Sequence, residues 1–350
     1  MYIPEKRLIE KVGDEMKKRL PFLTGWKIGR ADKPNDRLAG LLVSARSGGK
    51  TYRFCVEVKT AGYPQYVRDA AAGLKKYVAA NPQYYPVVVV PFISANGKKI
   101  CDEHHVGYMD FGGNMKIAHG SIFVSTEGKD RPKEEVPASR SIFSLKSARI
   151  TRLFLSHPRS VWTQKDLAGK TMLSKGMVSR VVKRMVAAGY AMEKDGKLSL
   201  ANFDDLLSAW TESEVRRREN KRNYYVWAQN PAKLMKAVAA GLSAAKVEYA
   251  FTQEAGALLV APFATFDIVS LYIKSLDKFP EKPLSASRVD KGFNLTVIEA
   301  PDDYILINAR DKGGLKVADD LQLYADLMKN PLRGEKQAGH ILALMKKTLR

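Results

Sequence analysis

The residues best suited to chemistry lie between Ser174 and Arg184. At about 100° per residue, Met177, Val178, Val181, Val182, Met185 and Val186 fill one half of a helical circumference. Gly176, Ser179, Arg180, Lys183 and Arg184 fill the other half, with Lys175 on the border. The stretch carries these four cations and no acid. Such a face suits insertion into the major groove of DNA. Its cations can meet phosphate oxygens and guanine edges, while Gly176 and Ser179 permit close approach.

Other elements must hold such a helix. Leu145 to Ser156 has the apolar spacing of a first helix. Thr163, with Asp166 three residues later, reads as the N-cap of a second. Thr171-Met172-Leu173 makes a short turn, Ser174 caps the third helix, and Gly189 ends it. Tyr190 to Leu200 then reads as two strands around Asp195-Gly196, a strong hairpin signal. Three helices and a hairpin resemble a winged helix-turn-helix, with Lys194 and Lys197 of the wing placed to touch the adjacent backbone. A winged helix used only for protein contacts is the alternative.

Charge patterning agrees with the first reading. The chain has 350 residues and a formal net charge of +21. Residues 141–200 hold 12 basic and 3 acidic side chains, against 22 and 19 in residues 201–350. A localised excess builds a field on one face, so double-stranded DNA is the expected partner. The alternative is a solubilising surface. At 45% apolar and 27% charged, the chain can build ordinary cores. Two cysteines exclude a disulfide-rich scaffold. No run of about 18 apolar residues occurs, and the opening residues lack the apolar core of a signal peptide. The expectation is a cytoplasmic protein that spans no membrane.

Composition shifts at 129–139 and 212–222, both strongly polar, separate three expected domains: 1–130, 140–210 and 222–350. Glu212 to Arg222 reads as an exposed helix or connector. In the first domain, helical spacing at 9–20 and 66–79 interleaves with strand signals at 38–45, 52–58, 85–91, 106–111 and 115–117. This argues for an α/β layer. Gly49-Lys50-Thr51 lacks the first glycine of a phosphate loop and precedes a strand. Cys101-Asp102-Glu103-His104-His105 reads as a solvated loop, because its four kinds of metal ligand are nearly contiguous and no second cluster accompanies them. No metal site is expected there.

Glu57 and Lys59 share one face of a strand that follows a hairpin and precedes a helix. With the 66–77 helix and the 87–90 strand, this resembles the PD-(D/E)XK nuclease fold. The resemblance implies that an Asp of the preceding strand and Glu57 bind Mg²⁺, while Lys59 positions or polarises water. Pairing about Gly48-Gly49 sets Glu57 near Gly40. The nearest acid, Asp36, then lies about four residues away, or about 13 Å, unless a bulge intervenes. Without that acid a hard cation has too few oxygen ligands. No cofactor is therefore expected, Mg²⁺ enters only with an active site at Asp36, Glu57 and Lys59, and enzyme status stays open. The later segment Gly107 to Asn114 also resembles one found in such domains beside bacterial winged helices.

Residues 222–350 alternate helical and strand signals. Asp320-Leu321-Gln322-Leu323-Tyr324-Ala325-Asp326-Leu327 followed by Pro331-Leu332-Arg333-Gly334, after a winged helix, is similar to the AbiEi family, antitoxins of bacterial type IV toxin–antitoxin systems. Core packing of a helix and its terminal turn is the plainer account of this motif. The resemblance covers about residues 140–350. It implies an autorepressor, with 174–184 as recognition helix, which counteracts a cognate nucleotidyltransferase toxin without a stable complex. Winged helices often bind inverted repeats as homodimers, although no self-complementary seam stands out. The expected class is thus multidomain α/β (α+β): a restriction-endonuclease-like α/β domain, a central winged helix-turn-helix and a C-terminal α/β domain. Transcription regulation is the first functional expectation, and a metal-dependent DNA endonuclease targeted by the winged helix is the second.

Overall fold

A computed structural model of the chain describes residues 5–30, 40–128, 141–262, 266–329 and 331–348; residues 5–10, 30, 331–333 and 348 are described by backbone alone. The chain is mixed α/β and divides into two compact units, residues 1–141 with 182–194 and residues 142–181 with 195–350.

In the first unit, helix α1 (Glu5–Arg19) precedes strands β1 (Thr24–Arg30), β2 (Leu41–Ser47) and β3 (Lys50–Val58). Helix α2 (Pro64–Ala80), β4 (Tyr85–Val90), α3 (Ala95–Glu103), β5 (Gly107–Asp110), β6 (Met115–His119) and β7 (Ile122–Thr126) follow. The seven strands form one sheet in chain order. Its first three strands are antiparallel, β3, β4 and β5 run parallel, and β5 to β7 are antiparallel again. Parallel neighbours need long crossovers, which α2 and α3 provide. Val12 and Met16 of α1, with Leu20 just after it, pack with Phe54, Val56, Val87 and Val89 on one face. Val67, Ala71 and Leu74 of α2 pack with Cys55, Val88 and Val90 on the other. A strand covered on both faces must be apolar throughout, which accounts for the run Val87-Val88-Val89-Val90.

One reading of this region changes. Cys101-Asp102-Glu103 ends helix α3 and is not loop, because Ser94 caps that helix by accepting from the Gly97 N–H at 3.1 Å. Cys101 points into the core, and burial pushes its thiol, like that of Cys55, up to about 12. The Gly107–Asn114 segment is organised by buried Asp110. Its carboxylate accepts from the backbone N–H groups of Ile93, Gly112 and Asn114 and from Asn114 Nδ2, at 2.7–3.0 Å. Those bonds satisfy both oxygens and fix the turn.

The second unit starts with α4 (Ala148–Ser156) and α5 (Gln164–Thr171). Helix α6 (Lys175–Ala187) and the hairpin of β8 (Ala191–Lys194) and β9 (Lys197–Leu200) come next, and the division between the units falls within them. The unit continues with α7 (Phe203–Val215), β10 (Lys221–Tyr225), α8 (Pro231–Ala244), β11 (Tyr249–Thr252), α9 (Gln253–Val260) and β12 (Val269–Ile273). It ends with β13 (Ser287–Arg288), β14 (Leu295–Glu299), α10 (Tyr304–Ile307), β15 (Arg310–Lys312), β16 (Leu315–Val317), α11 (Asp320–Leu327) and α12 (Pro331–Thr348). Its seven-stranded mixed sheet has the order β13-β10-β14-β12-β11-β16-β15. Leu234, Val238 and Leu242 of α8 pack on Tyr224, Phe251, Leu271 and Val297.

The opposite face of that sheet carries a polar cluster. Fully buried Asp326 accepts from Thr252 Oγ1 at 2.6 Å, Tyr272 Oη at 3.0 Å, Gln322 Nε2 at 3.0 Å and Lys329 Nζ at 2.9 Å. Lys329 also reaches Glu219 at 2.6 Å. Burial opposes the Lys329 charge, yet Asp326 and Glu219 outweigh it and hold its pKa above the ordinary lysine value. Of the Pro331 to Gly334 motif, the side chains of Pro331, Leu332 and Arg333 lie outside the described residues. A Cβ on Gly334 would stand 2.0 Å from the Leu327 carbonyl oxygen, so only glycine lets α12 start against the end of α11.

Candidate nucleic-acid interface

Local rules build this site one element at a time. Thr163 starts α5 with a reciprocal capping box: its hydroxyl accepts from the Asp166 N–H, and Asp166 accepts from the Thr163 N–H at 2.9 Å. Bonds from the Thr163 side chain and backbone hold the exposed Asp166 carboxyl below its ordinary pKa. Helix α5 closes at Met172, which adopts a left-handed φ of 55°. The Arg149 Nη1 of α4 donates to the Thr171 carbonyl at 3.2 Å and steadies that turn. Ser174 then caps α6 through the Met177 N–H at 3.3 Å.

Helix α6 divides as its periodicity predicts. Val178, Val181, Val182 and Met185 are 0–2% exposed. Ser174, Lys175, Gly176, Arg180 and Lys183 are exposed, while Ser179 and Arg184 are half-buried. The helix ends in a Schellman arrangement, with the Tyr190 N–H bonded to the Met185 carbonyl at 2.9 Å and Gly189 at φ +73°. A side chain at Gly189 would also strike Gln65 Cβ at 2.6 Å. Within the first unit, the Tyr66 hydroxyl donates to the Ala187 carbonyl and Tyr63 packs edge-on against Tyr190. These contacts engage the last turn of α6 and leave Lys175, Arg180 and Lys183 in solvent.

Asp195 and Gly196, at φ 51° and 70°, turn the β8–β9 hairpin. Positive φ at both positions is what a two-residue hairpin turn demands. Lys194 and Lys197 flank that turn and are exposed. The Trp162 and Leu198 backbones exchange two bonds of 2.8 Å, which add a third edge to the hairpin. Among the described residues, Lys175, Arg180, Lys183, Lys194 and Lys197 make no ion pair. Sequence reading passed over Lys165, exposed two residues after the Thr163 cap. Its position in the first turn of the helix before α6 was the available signal.

The second candidate site is sparser. Glu57 lies on β3 and Lys59 falls one residue past its end; Lys59 Nζ donates to Glu57 Oε1 at 2.7 Å, and their side chains are 33% (Lys59) and 15% (Glu57) exposed. The β2–β3 register pairs Leu41 with Val56, which sets Gly40 opposite Glu57. A Cβ on Gly40 would lie 3.5 Å from Glu57 Oε2. Asp36 lies outside the described residues. Among those described, no group of three or more His, Cys, Asp or Glu side chains is placed to hold a metal ion. Asp102, in the segment with contiguous ligand types, instead binds Lys116 at 2.7 Å. No helix among the described residues is long and apolar enough to cross a membrane. Comparison with protein-family models, with curated proteins and with solved structures finds no match for this chain.

Proposed function

We propose that this protein is a sequence-specific DNA-binding transcriptional regulator. In this reading α4, α5, α6 and the β8–β9 hairpin act as a winged helix-turn-helix, with α6 in the major groove and the hairpin on the backbone beside it. One observation carries the proposal. The side of α6 opposite its buried valines presents Lys175, Arg180 and Lys183 to solvent, and no acid on the helix neutralises them. Phosphate contacts give affinity and release counterions, whereas an Arg fork on a guanine edge gives specificity. Thr163, Lys194 and Lys197 are assigned to phosphates, and Ser174, Gly176, Ser179 and Arg184 to the groove.

The finer reading is an AbiEi-like autorepressor of a type IV toxin–antitoxin system, acting in the cytoplasm. Its three domains would be 1–130, restriction-endonuclease-like; 140–210, the winged helix; and 222–350, the antitoxin-like α/β domain. The motif Asp320 to Leu327 followed by Pro331 to Gly334 is what supports it. A nucleotidyltransferase toxin would be its functional partner. Genome-wide mapping of bound DNA tests the proposal. A few strong sites, one upstream of the protein's own gene, are expected; diffuse occupancy without a shared sequence would reject it.

The sheet order of the first unit, with α2 between parallel β3 and β4, keeps the endonuclease reading in view. The described donor set does not fit Mg²⁺: Glu57 is paired with Lys59 and faces Gly40, and one carboxylate is too few for an octahedral oxygen cage. No step through a metal is derived. Duplex DNA that stays intact with Mg²⁺ or Mn²⁺ is the expected result, and cleavage lost on Glu57→Ala would reverse it.

A further inference from the structure

The second unit contains a polar pocket of about 230 Å³, lined by Arg152, His157, Lys170, Tyr304, Asn308 and Asp319 among others. Its walls come from α4, the last turn of α5 and α10, so it lies where the sheet-bearing part meets the helices that lead into α6. We infer that this pocket binds a small phosphorylated anion and that occupancy changes the affinity of α6 for DNA. The second half of this statement rests on the DNA-binding reading above.

The pocket is built before any ligand arrives. Arg152 is 6% exposed and is held from three sides. It donates to Gln322 Oε1 at 2.6 Å and to Asp319, and its guanidinium lies 5.5 Å over the Trp210 ring. Asp319 brings the pocket's carboxylate, but that charge is spent. One of its oxygens takes Arg152, and the other caps α11 by accepting from the Gln322 N–H at 2.9 Å. His157 faces its Nδ1 to the Leu153 carbonyl at 3.3 Å, which leaves Nε2 for another partner. Lys170 makes no ion pair among the described residues; its ammonium sits 5.8 Å from the Trp162 ring.

The cation left over, the imidazole and the second N–H of the Asn308 amide, whose first is donated to the Tyr304 carbonyl at 2.6 Å, suit an oxyanion with several acceptor atoms. Known ligand pockets run from about 300 Å³ upward. This one is smaller, and fits pyrophosphate or the phosphate end of a small metabolite rather than a dinucleotide.

The route to α6 is short. Arg149 of α4 clamps both oxygens of Asp302 at 2.6–3.1 Å and donates to the Thr171 carbonyl at the end of α5. Asp302 in turn accepts from the Tyr304 N–H at 2.8 Å, at the start of α10. One ion pair thus ties α10 to the turn that precedes Ser174. A ligand that draws Lys170 toward Tyr304 and Asn308 pulls on that turn from both ends.

The test uses the full chain and sodium pyrophosphate as probe, at fixed ionic strength. Calorimetry should give one site per chain. Lys170→Ala, an exposed position, should weaken binding at least tenfold, as should Asn308→Ala. Arg180→Ala with Lys183→Ala should leave it within twofold. Fluorescence anisotropy with the mapped DNA should then show an affinity change of fivefold or more on adding pyrophosphate, absent in Lys170→Ala. No binding heat, wild-type affinity in Lys170→Ala, or an equal loss in the α6 double variant would overturn the pocket. Lys170-dependent binding without any DNA affinity would sink the regulator reading and leave the pocket standing. DNA binding that pyrophosphate does not alter would remove the coupling.

Discussion

Arg180 and Lys183 stand in solvent on α6, without an ion pair among the described residues. Arg152 of α4 is buried and Lys329, just after α11, is half-buried, and they are bonded to Asp319, Asp326 and Glu219. The same residue types therefore sit in two different environments. A buried cation costs several kcal/mol of desolvation, so it persists only where carboxylates and hydrogen bonds surround it, and it then fixes one arrangement of the elements it touches. An exposed cation costs little to keep and adds little to stability. Its energy appears only when an anion arrives. Paired burial accounts for a structural role, and unpaired exposure on a helix without acids is what the proposed binding role draws on.

The strongest way to break this comparison is to remove a buried partner. Asp326→Ala leaves Lys329 and Tyr272 without their shared acceptor, and denaturant unfolding should register a loss of about 3–5 kcal/mol. Wild-type stability in that variant would show that the cluster organises nothing. Because the Lys329 pKa is raised in the folded state, its contribution is fully present below the ordinary lysine value of 10.5 and is lost as pH rises through the raised value. Stability should fall more steeply on the alkaline side in the wild type than in Asp326→Ala.

Arg180→Ala with Lys183→Ala sharpens the other half. Operator affinity in a mobility-shift assay should drop by about 2–4 kcal/mol while the unfolding midpoint stays put. Each phosphate contact removed should also flatten the salt dependence by roughly one unit of slope. A large stability loss without an affinity loss would assign these cations to the structural class.

Gly189→Ala places a side chain at positive φ and against Gln65, so a destabilisation of about 1–3 kcal/mol is expected. Thr163→Ala is the mildest case and costs about 1 kcal/mol through the lost cap. The Asp166 carboxyl is held low by those same bonds. The cap's electrostatic part is therefore present above the ordinary carboxylate pKa and fades as pH falls through the lowered one. Thr163→Ala should lack that acid-side fading when melting temperature is followed against pH.

Legibility in the sequence followed the range of the forces involved. The capping box at Thr163, the two faces of α6, the stop at Gly189 and the Asp195-Gly196 turn depend on neighbours within a few residues, and each was readable. Strand β10 was not. Its polar start, Lys221-Arg222, read as the end of a connector, yet the strand pairs with β14 on one side and with β13 on the other. Ladder partners about seventy residues away override weak local preference. Strand β1 was missed for the same kind of reason, whereas helix α3 was missed although its Ser94 cap is a local signal.

The chain's composition and periodicity thus settled where positive charge is dense and which helix segregates it from an apolar face, since both are sums over local residues. They did not settle which cations are free. Arg149, Arg152 and Arg180 are equivalent letters in a charge count. Folding brings Asp302 and Asp319 to the first two from 153 and 167 residues away and brings no described carboxylate to the third. Neutralisation is a property of distance in space, and only the tertiary structure sets that distance.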